Sequence, residues 1–308
     1  MQQATRARLA VVAAAALFST GGAAIKATDL ASWQVAGFRS GIAALAVLLL
    51  VPASRRGWSW RTPVVGVAYA GTLLLFVLAN KLTTSANAIF LQSTAPLYLL
   101  LLGPLLLHEP IRRRDLGFML AIGAGLVCFF VGTEPPVRTA PDPVTGNLLA
   151  LASSVTWALT LVGLRWLGHA HVADPDGSAS LAAVVAGNLI AFGIALPFAL
   201  PVESAAPRDW VTMAYLGVIQ IGLAYVLLTR GMRHIPVFEA SILLLCEPVL
   251  NPVWSWLVHA ERPGSWALLG GVAILGATLV KTWLDTRAGG TPDAVRVSGA
   301  VHPTGGEG

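Results

Sequence analysis

Apolar residues run through this chain in long stretches set off by charges, Pro and Gly, rather than in the short alternating runs of half-buried strands. Ten such stretches stand near residues 9–25, 33–51, 63–79, 86–107, 116–132, 147–164, 179–200, 211–229, 236–259 and 266–284. Most approach the roughly 20 residues that an α-helix needs to cross a bilayer. Leu and Ala dominate them and no series of alternating segments is present, so the pattern predicts helices and argues against a transmembrane barrel. The expected fold class is an all-α membrane protein with ten transmembrane helices.

Composition agrees. Of 308 residues 56% are apolar and 11% charged, where an ordinary soluble domain has about 25% charged. Too little charge is present to cover a soluble surface or to keep a chain disordered, whereas a lipid-facing exterior needs neither. Cys128 and Cys246 both lie inside apolar runs, without the spacing of a disulfide framework or a zinc site. With the N-terminus in the cytoplasm, fourteen of the twenty Lys and Arg residues fall inside and five outside, with Arg39 left within the second stretch. The positive-inside rule favours that orientation, with both termini cytoplasmic, so the net charge of +5 reports topology and not a nucleic-acid partner. The run Arg112, Arg113, Arg114 belongs to the same bias. Residues 286–308 read as a disordered cytoplasmic tail.

The first stretch also fits a secretory signal peptide cleaved near Ala24. An internal repeat argues for a retained span, because it gives that stretch a partner in the second half. An offset of about 152 residues pairs Ala88 with Ala240, Leu91 with Leu243, Pro96 with Pro248 and Glu109 with Glu261. One residue more pairs Leu116, Gly117, Gly123, Ala124, Leu126 and Val127 with Leu269, Gly270, Gly276, Ala277, Leu279 and Val280. An offset of 139 pairs Phe18 with Trp157 and Lys26 with Arg165. Two halves, 1–135 and 144–285, of five spans each follow. An odd number of crossings makes the second half enter from the opposite side, so the repeats are inverted, as in secondary transporters that bind substrate near the midplane between halves.

The chain resembles the drug/metabolite transporter superfamily, and within it the ten-helix EamA-type permeases and exporters. The resemblance spans about residues 8–285 and rests on the two halves, on Arg39 within GFRSGIAAL, and on the paired segments SANAIFLQSTAPLYLLLLGPLLLHEP and FEASILLLCEPVLNPVWSWLVHAERP. It implies an inner-membrane permease that moves amino acids or related metabolites outward through a central cavity lined by both halves.

Within the spans the charges become informative. An ionised side chain at that depth costs on the order of 2.5–3.5 kcal/mol, so Arg39 and Glu247 must face a cavity or a partner. Glu247 reads either as a proton-coupling carboxylate or anchor for a substrate ammonium, or as half of a structural ion pair with Arg39 or a carboxylic acid that stays neutral and hydrogen-bonded. On an unbroken ninth helix Ala240, Leu244, Glu247, Asn251 and Trp254 fall on one stripe, and the repeat turns Gln92 toward the same space. Trp157, Tyr69, Tyr98 and Tyr225 lie deep enough to line a pocket, whereas Trp33, Trp210, Trp266 and Trp283 read as interfacial anchors. Pro96 and Pro104 in the fourth span, and Pro248 and Pro252 in the ninth, are expected to kink their helices and free the carbonyls four residues earlier.

The function expected is export of a small metabolite by alternating access, with the protein a monomer or homodimer in the lipid bilayer. No G-x-x-x-x-G-K-[ST] loop is present, so the expected driving force is passive or an ion gradient such as protons, with no cofactor and no metal. The alternative is an intramembrane enzyme acting on a lipid or isoprenoid substrate, which requires clustered His, Asp or Ser. The nearest approach to such a cluster, His169 and His171 with Asp174 and Asp176, reads as a solvated loop.

Overall fold

The computed structural model describes residues 2–102, 104, 113–132, 135–170, 177–232, 234–235 and 237–287. The proposed tail from residue 288 on, Arg112, His171, Asp174 and Asp176 lie outside them, as do the side chains of Arg113 and Arg114.

In their described residues all ten stretches are largely helical. Span 1 is Gln3–Lys26, span 2 Ser32–Leu50, span 3 Arg61–Leu82 and span 4 Ser85–Leu102. Span 5 is Arg113–Val131, span 6 Pro143–Ala170 and span 7 Ser178–Ala199. Span 8 is Pro207–Met232. Span 9 consists of Val237–Leu244 and Cys246–His259, and span 10 is Ser265–Arg287. Among the described residues nine helices are long and apolar enough to cross a membrane, and the shorter apolar segment Asp115–Val131 makes the tenth. Leu120, Val211 and Val272 are each at least 70% exposed, a cost that lipid removes.

Three spans are broken, each with a local cause. Span 4 stops at Gln92 and restarts at Ala95, just ahead of Pro96, whose missing N–H leaves the Gln92 carbonyl without its helical donor. The Ser93 hydroxyl donates to the Ile89 carbonyl at 2.7 Å and the Thr94 hydroxyl to the Leu91 carbonyl at 2.6 Å, so side chains occupy the backbone acceptors at the break. Span 9 breaks at Leu245, three residues before Pro248, and its second half then runs through Pro252. Pro104 is exposed. The stripe read along an unbroken ninth helix is therefore interrupted: Ala240 and Leu244 belong to one half-helix and Glu247, Asn251 and Trp254 to the other. Span 1 breaks at Thr20, before the pair Gly21 and Gly22.

A fourth irregularity is invisible to hydropathy. Tyr215–Leu223 in span 8 is a π-helix, which inserts extra backbone per turn and often marks a functional position.

The packing obeys the inverted repeat, with spans 1 to 5 corresponding to 6 to 10. Span 3 packs on span 6 and span 8 on span 1; span 4 packs on span 6 and span 9 on span 1; span 3 packs on span 7 and span 8 on span 2. Spans 2 and 7 pair with each other, as do spans 5 and 10. The last pair crosses at Gly125 and Gly270, where a Cβ on either would come within 3.0 Å of the other's carbonyl oxygen. These contacts come in two-fold pairs that join one half to the other.

Candidate functional site

Arg39, on span 2, is 2% exposed in the bundle. Its Nη2 donates to the Leu73 carbonyl of span 3 at 3.2 Å, and its Nε has no acceptor. A guanidinium carries five donors, so this one is held in place with donors to spare. Two tyrosines, Tyr69 of span 3 and Tyr225 of span 8, lie within its electrostatic reach. Their rings meet edge to face with centroids 5.7 Å apart, and Phe18 of span 1 stands edge-on to Tyr225 at 5.1 Å. Span 8 delivers Tyr225 two residues after its π-helical stretch.

Glu247 occupies the first turn of the second half of span 9. Tyr225 lies within electrostatic reach of Glu247 as well as of Arg39. Among the described ion pairs none joins Arg39 to Glu247; the Arg39 guanidinium is turned onto the Leu73 backbone.

Trp157, on span 6, packs beside the same aromatic cluster. It lines a narrow apolar pocket with Val65, Tyr69, Thr160, Leu164 and Tyr225. On the facing span 7, Asn188 is buried; its Nδ2 donates to the Val184 carbonyl at 2.9 Å and its Oδ1 has no partner.

Gln92 and Asn251 sit apart from this centre. Gln92 donates to the Ser153 hydroxyl at 2.7 Å, within a hydroxyl cluster in which Thr94 meets Ser154 at 3.0 Å and Thr72 donates to Thr156 at 3.1 Å. These bonds tie spans 3 and 4 of one half to span 6 of the other. Asn251 is buried against Gly22, where a Cβ would come within 2.8 Å of its Oδ1. Four residues before it is Glu247, and four after it Ser255, both on the same half-helix.

Sequence reasoning missed one group. Lys26, counted among the loop charges, forms an ion pair with Glu261 at 3.0 Å in which each side chain is only 4% exposed. The repeat alignment contained the signal, since it singled out both residues, but their partnership crosses nearly the whole chain. Among the described residues no three His, Cys, Asp or Glu side chains gather as a metal site would require.

Similarity to known proteins agrees with this architecture. A family model described as the EamA-like transporter family matches the chain twice, over residues 5–131 and 144–283. The pseudopaline exporter CntI of Pseudomonas aeruginosa strain UCBPP-PA14 is 28% identical over 278 residues, covering 88% of this chain and 94% of that protein. The aromatic amino acid exporter YddG of Ancylobacter novellus is 25% identical over 217 residues, covering 70% and 74%. A crystal structure 20% identical in sequence superimposes with a TM-score of 0.60 over 93% of this chain and 99% of its own, which shows the same fold. The named functions among these sequence relatives are exporters, and an intramembrane enzyme is set aside. The chain belongs to the EamA-like transporter family, a multi-pass membrane protein that moves small molecules.

Proposed function

We propose that the protein exports small zwitterionic metabolites, amino acids or compounds derived from them, across the inner membrane by alternating access between two inverted units, 1–135 and 144–285. The observation that carries this reading is the pair of opposite charges, Arg39 and Glu247, which no ion pair among the described residues joins and which share Tyr225 as an electrostatic neighbour. Arg39 receives the substrate carboxylate through its free donors, and Glu247 receives the ammonium. Tyr69, Trp157 and Tyr225 supply apolar faces for the substrate body. The names of the two exporter relatives, one for an aromatic amino acid and one for pseudopaline, support a substrate of this class.

Glu247 also couples export to protons: its carboxyl takes up a proton from outside when the substrate ammonium leaves, and releases it to the cytoplasm when the next ammonium binds. Both termini lie in the cytoplasm, on the excess of Lys and Arg at that face. Gln92 and the breaks ahead of Pro96 and Pro248 allow the half-helices to tilt about the site.

The test is a thermal-shift screen of purified protein against amino acids, organic cations and organic anions, because a ligand of the folded state stabilises it by mass action. Zwitterions raising the midpoint more than either singly charged class is the expected result. Stabilisation by lipophilic cations alone would overturn the role of Arg39.

A further inference from the structure

We propose that Lys26 and Glu261 are the outer gate of the transport path, and that the buried polar faces of Asn251, Ser255 and Ser85 beneath them line the exit for a polar, charged substrate. The inference rests on the orientation and export reading above.

The pair is placed as a gate must be. Lys26 ends span 1, in the first half, and Glu261 lies in the turn between spans 9 and 10, in the second. Lys26 Nζ also donates to the Thr83 carbonyl at 2.8 Å and to the Thr139 carbonyl. Glu261 Oε1 accepts the Ser85 backbone N–H, at the start of span 4, at 2.6 Å. One side chain pair therefore pins the ends of four elements at one face. The other ion pairs between halves are wetter: Arg208 with Asp29 at the same face, exposed by 68% and 77%, and at the opposite face Arg8 with Glu239, by 52% and 29%, and Lys281 with Asp115, by 20% and 6%.

A buried ion pair is a poor staple and a suitable latch. Desolvation consumes most of its Coulombic gain, so a state in which both charges regain water lies close in energy. An apolar contact of the same size would hold the face shut more firmly.

The space beneath is built for something polar. Asn251 and Ser255 lie one turn apart on span 9, and Ser85 begins span 4; all three are essentially buried. Four of their side-chain atoms, Asn251 Oδ1 and Nδ2, Ser85 Oγ and Ser255 Oγ, have no hydrogen-bond partner. Gly22 brings Asn251 and Ser85 together, since a Cβ there would approach the Asn251 amide and the Ser85 Cβ to 3.0 Å or less. Unpaired buried polar groups are costly in a packing interface and useful along a path that hydrates when it opens. With Glu247 four residues before Asn251, the face runs from the central site to the latch.

The experiment places a cysteine at Ser255, in a background with Cys128→Ser and Cys246→Ser, and measures labelling by a membrane-impermeant thiol reagent added to whole cells. Slow labelling is expected with the pair intact, and labelling at least tenfold faster with Glu261→Gln or Lys26→Met. Thermal unfolding of each purified variant separates an opened path from an unfolded protein. Glu261→Asp, which keeps the charge and withdraws it by one methylene, is expected to label at an intermediate rate and decides the matter if the neutral variants do not fold. Equal labelling of folded protein with and without the pair, or acceleration only when the reagent is added outside inverted vesicles and so reaches the cytoplasmic face, overturns the proposal. The readout needs no substrate, so failure to find one would count against the export reading alone.

Discussion

Arg39 and Leu73 are joined by one hydrogen bond, from the guanidinium Nη2 to the main-chain carbonyl at 3.2 Å, and that bond aims the charge without consuming it. Replacing Arg39 by Met removes a buried charge whose desolvation opposes folding, so the thermal midpoint is expected to hold or rise. Ligand binding is expected to weaken by tenfold or more, the equivalent of losing charge-assisted hydrogen bonds of about 1.5–3 kcal/mol. Titrating the best hit of the ligand screen against both proteins checks the two effects together, and undiminished affinity in Arg39→Met would remove Arg39 from the site.

Glu247→Gln keeps the shape of the side chain and abolishes its proton exchange. Uptake driven by a proton gradient into inverted vesicles is expected to fall to background, while counterflow exchange of labelled against unlabelled substrate continues. Gradient-driven transport at the original rate would assign coupling to another group.

The hydroxyl cluster joining spans 4 and 6 is expected to behave as glue. Thr94→Val and Ser154→Ala each remove one end of a 3.0 Å contact. Hydrogen bonds between helices in membranes average about 0.6 kcal/mol, so each single variant is expected to lower stability by roughly that amount. The double variant is expected to cost less than the sum, and strict additivity in a double-mutant cycle would show that the two hydroxyls do not interact.

Outside the spans, Asp142 opens span 6 by accepting the Thr145 N–H at 3.1 Å. The Thr145 side chain and backbone N–H hold its carboxyl below the ordinary carboxylate value. A depressed folded-state value means that this stabilisation is complete above the unfolded value, near 4, and is lost as the pH falls through the folded one. The difference in midpoint between the wild type and Asp142→Ala is expected to be constant above about pH 5 and to shrink toward pH 3. A difference that grows on acidification would contradict the cap.

The spans were legible because burial in lipid writes itself into runs of apolar residues, and the breaks in spans 4 and 9 because Pro96 and Pro248 lack an N–H wherever they stand. Arg39 and Glu247 were legible as charges out of place. The nearness of Tyr225 to both was not, and neither was the π-helical stretch Tyr215–Leu223 just before it, which is as apolar as any helix around it. Lys26 and Glu261 escaped for the opposite reason: at the ends of spans a charge looks solvated, and only the folded chain reveals that each has the other for solvent.

The interleaving of the two halves has a consequence for biosynthesis. Span 3 finds its principal neighbours in spans 6 and 7, and span 4 in span 6, none of which has left the ribosome when the first half is inserted. Thr72, Gln92 and Thr94 then face lipid or one another until Ser153, Ser154 and Thr156 arrive. The hydroxyl contacts of spans 3 and 4 therefore form only when Pro143–Ala170 enters the membrane. A gene split between residues 135 and 144 would encode a first fragment with apolar packing of its own, around Phe90, Phe118, Ile122 and Phe129, whose polar side chains on spans 3 and 4 wait for the second.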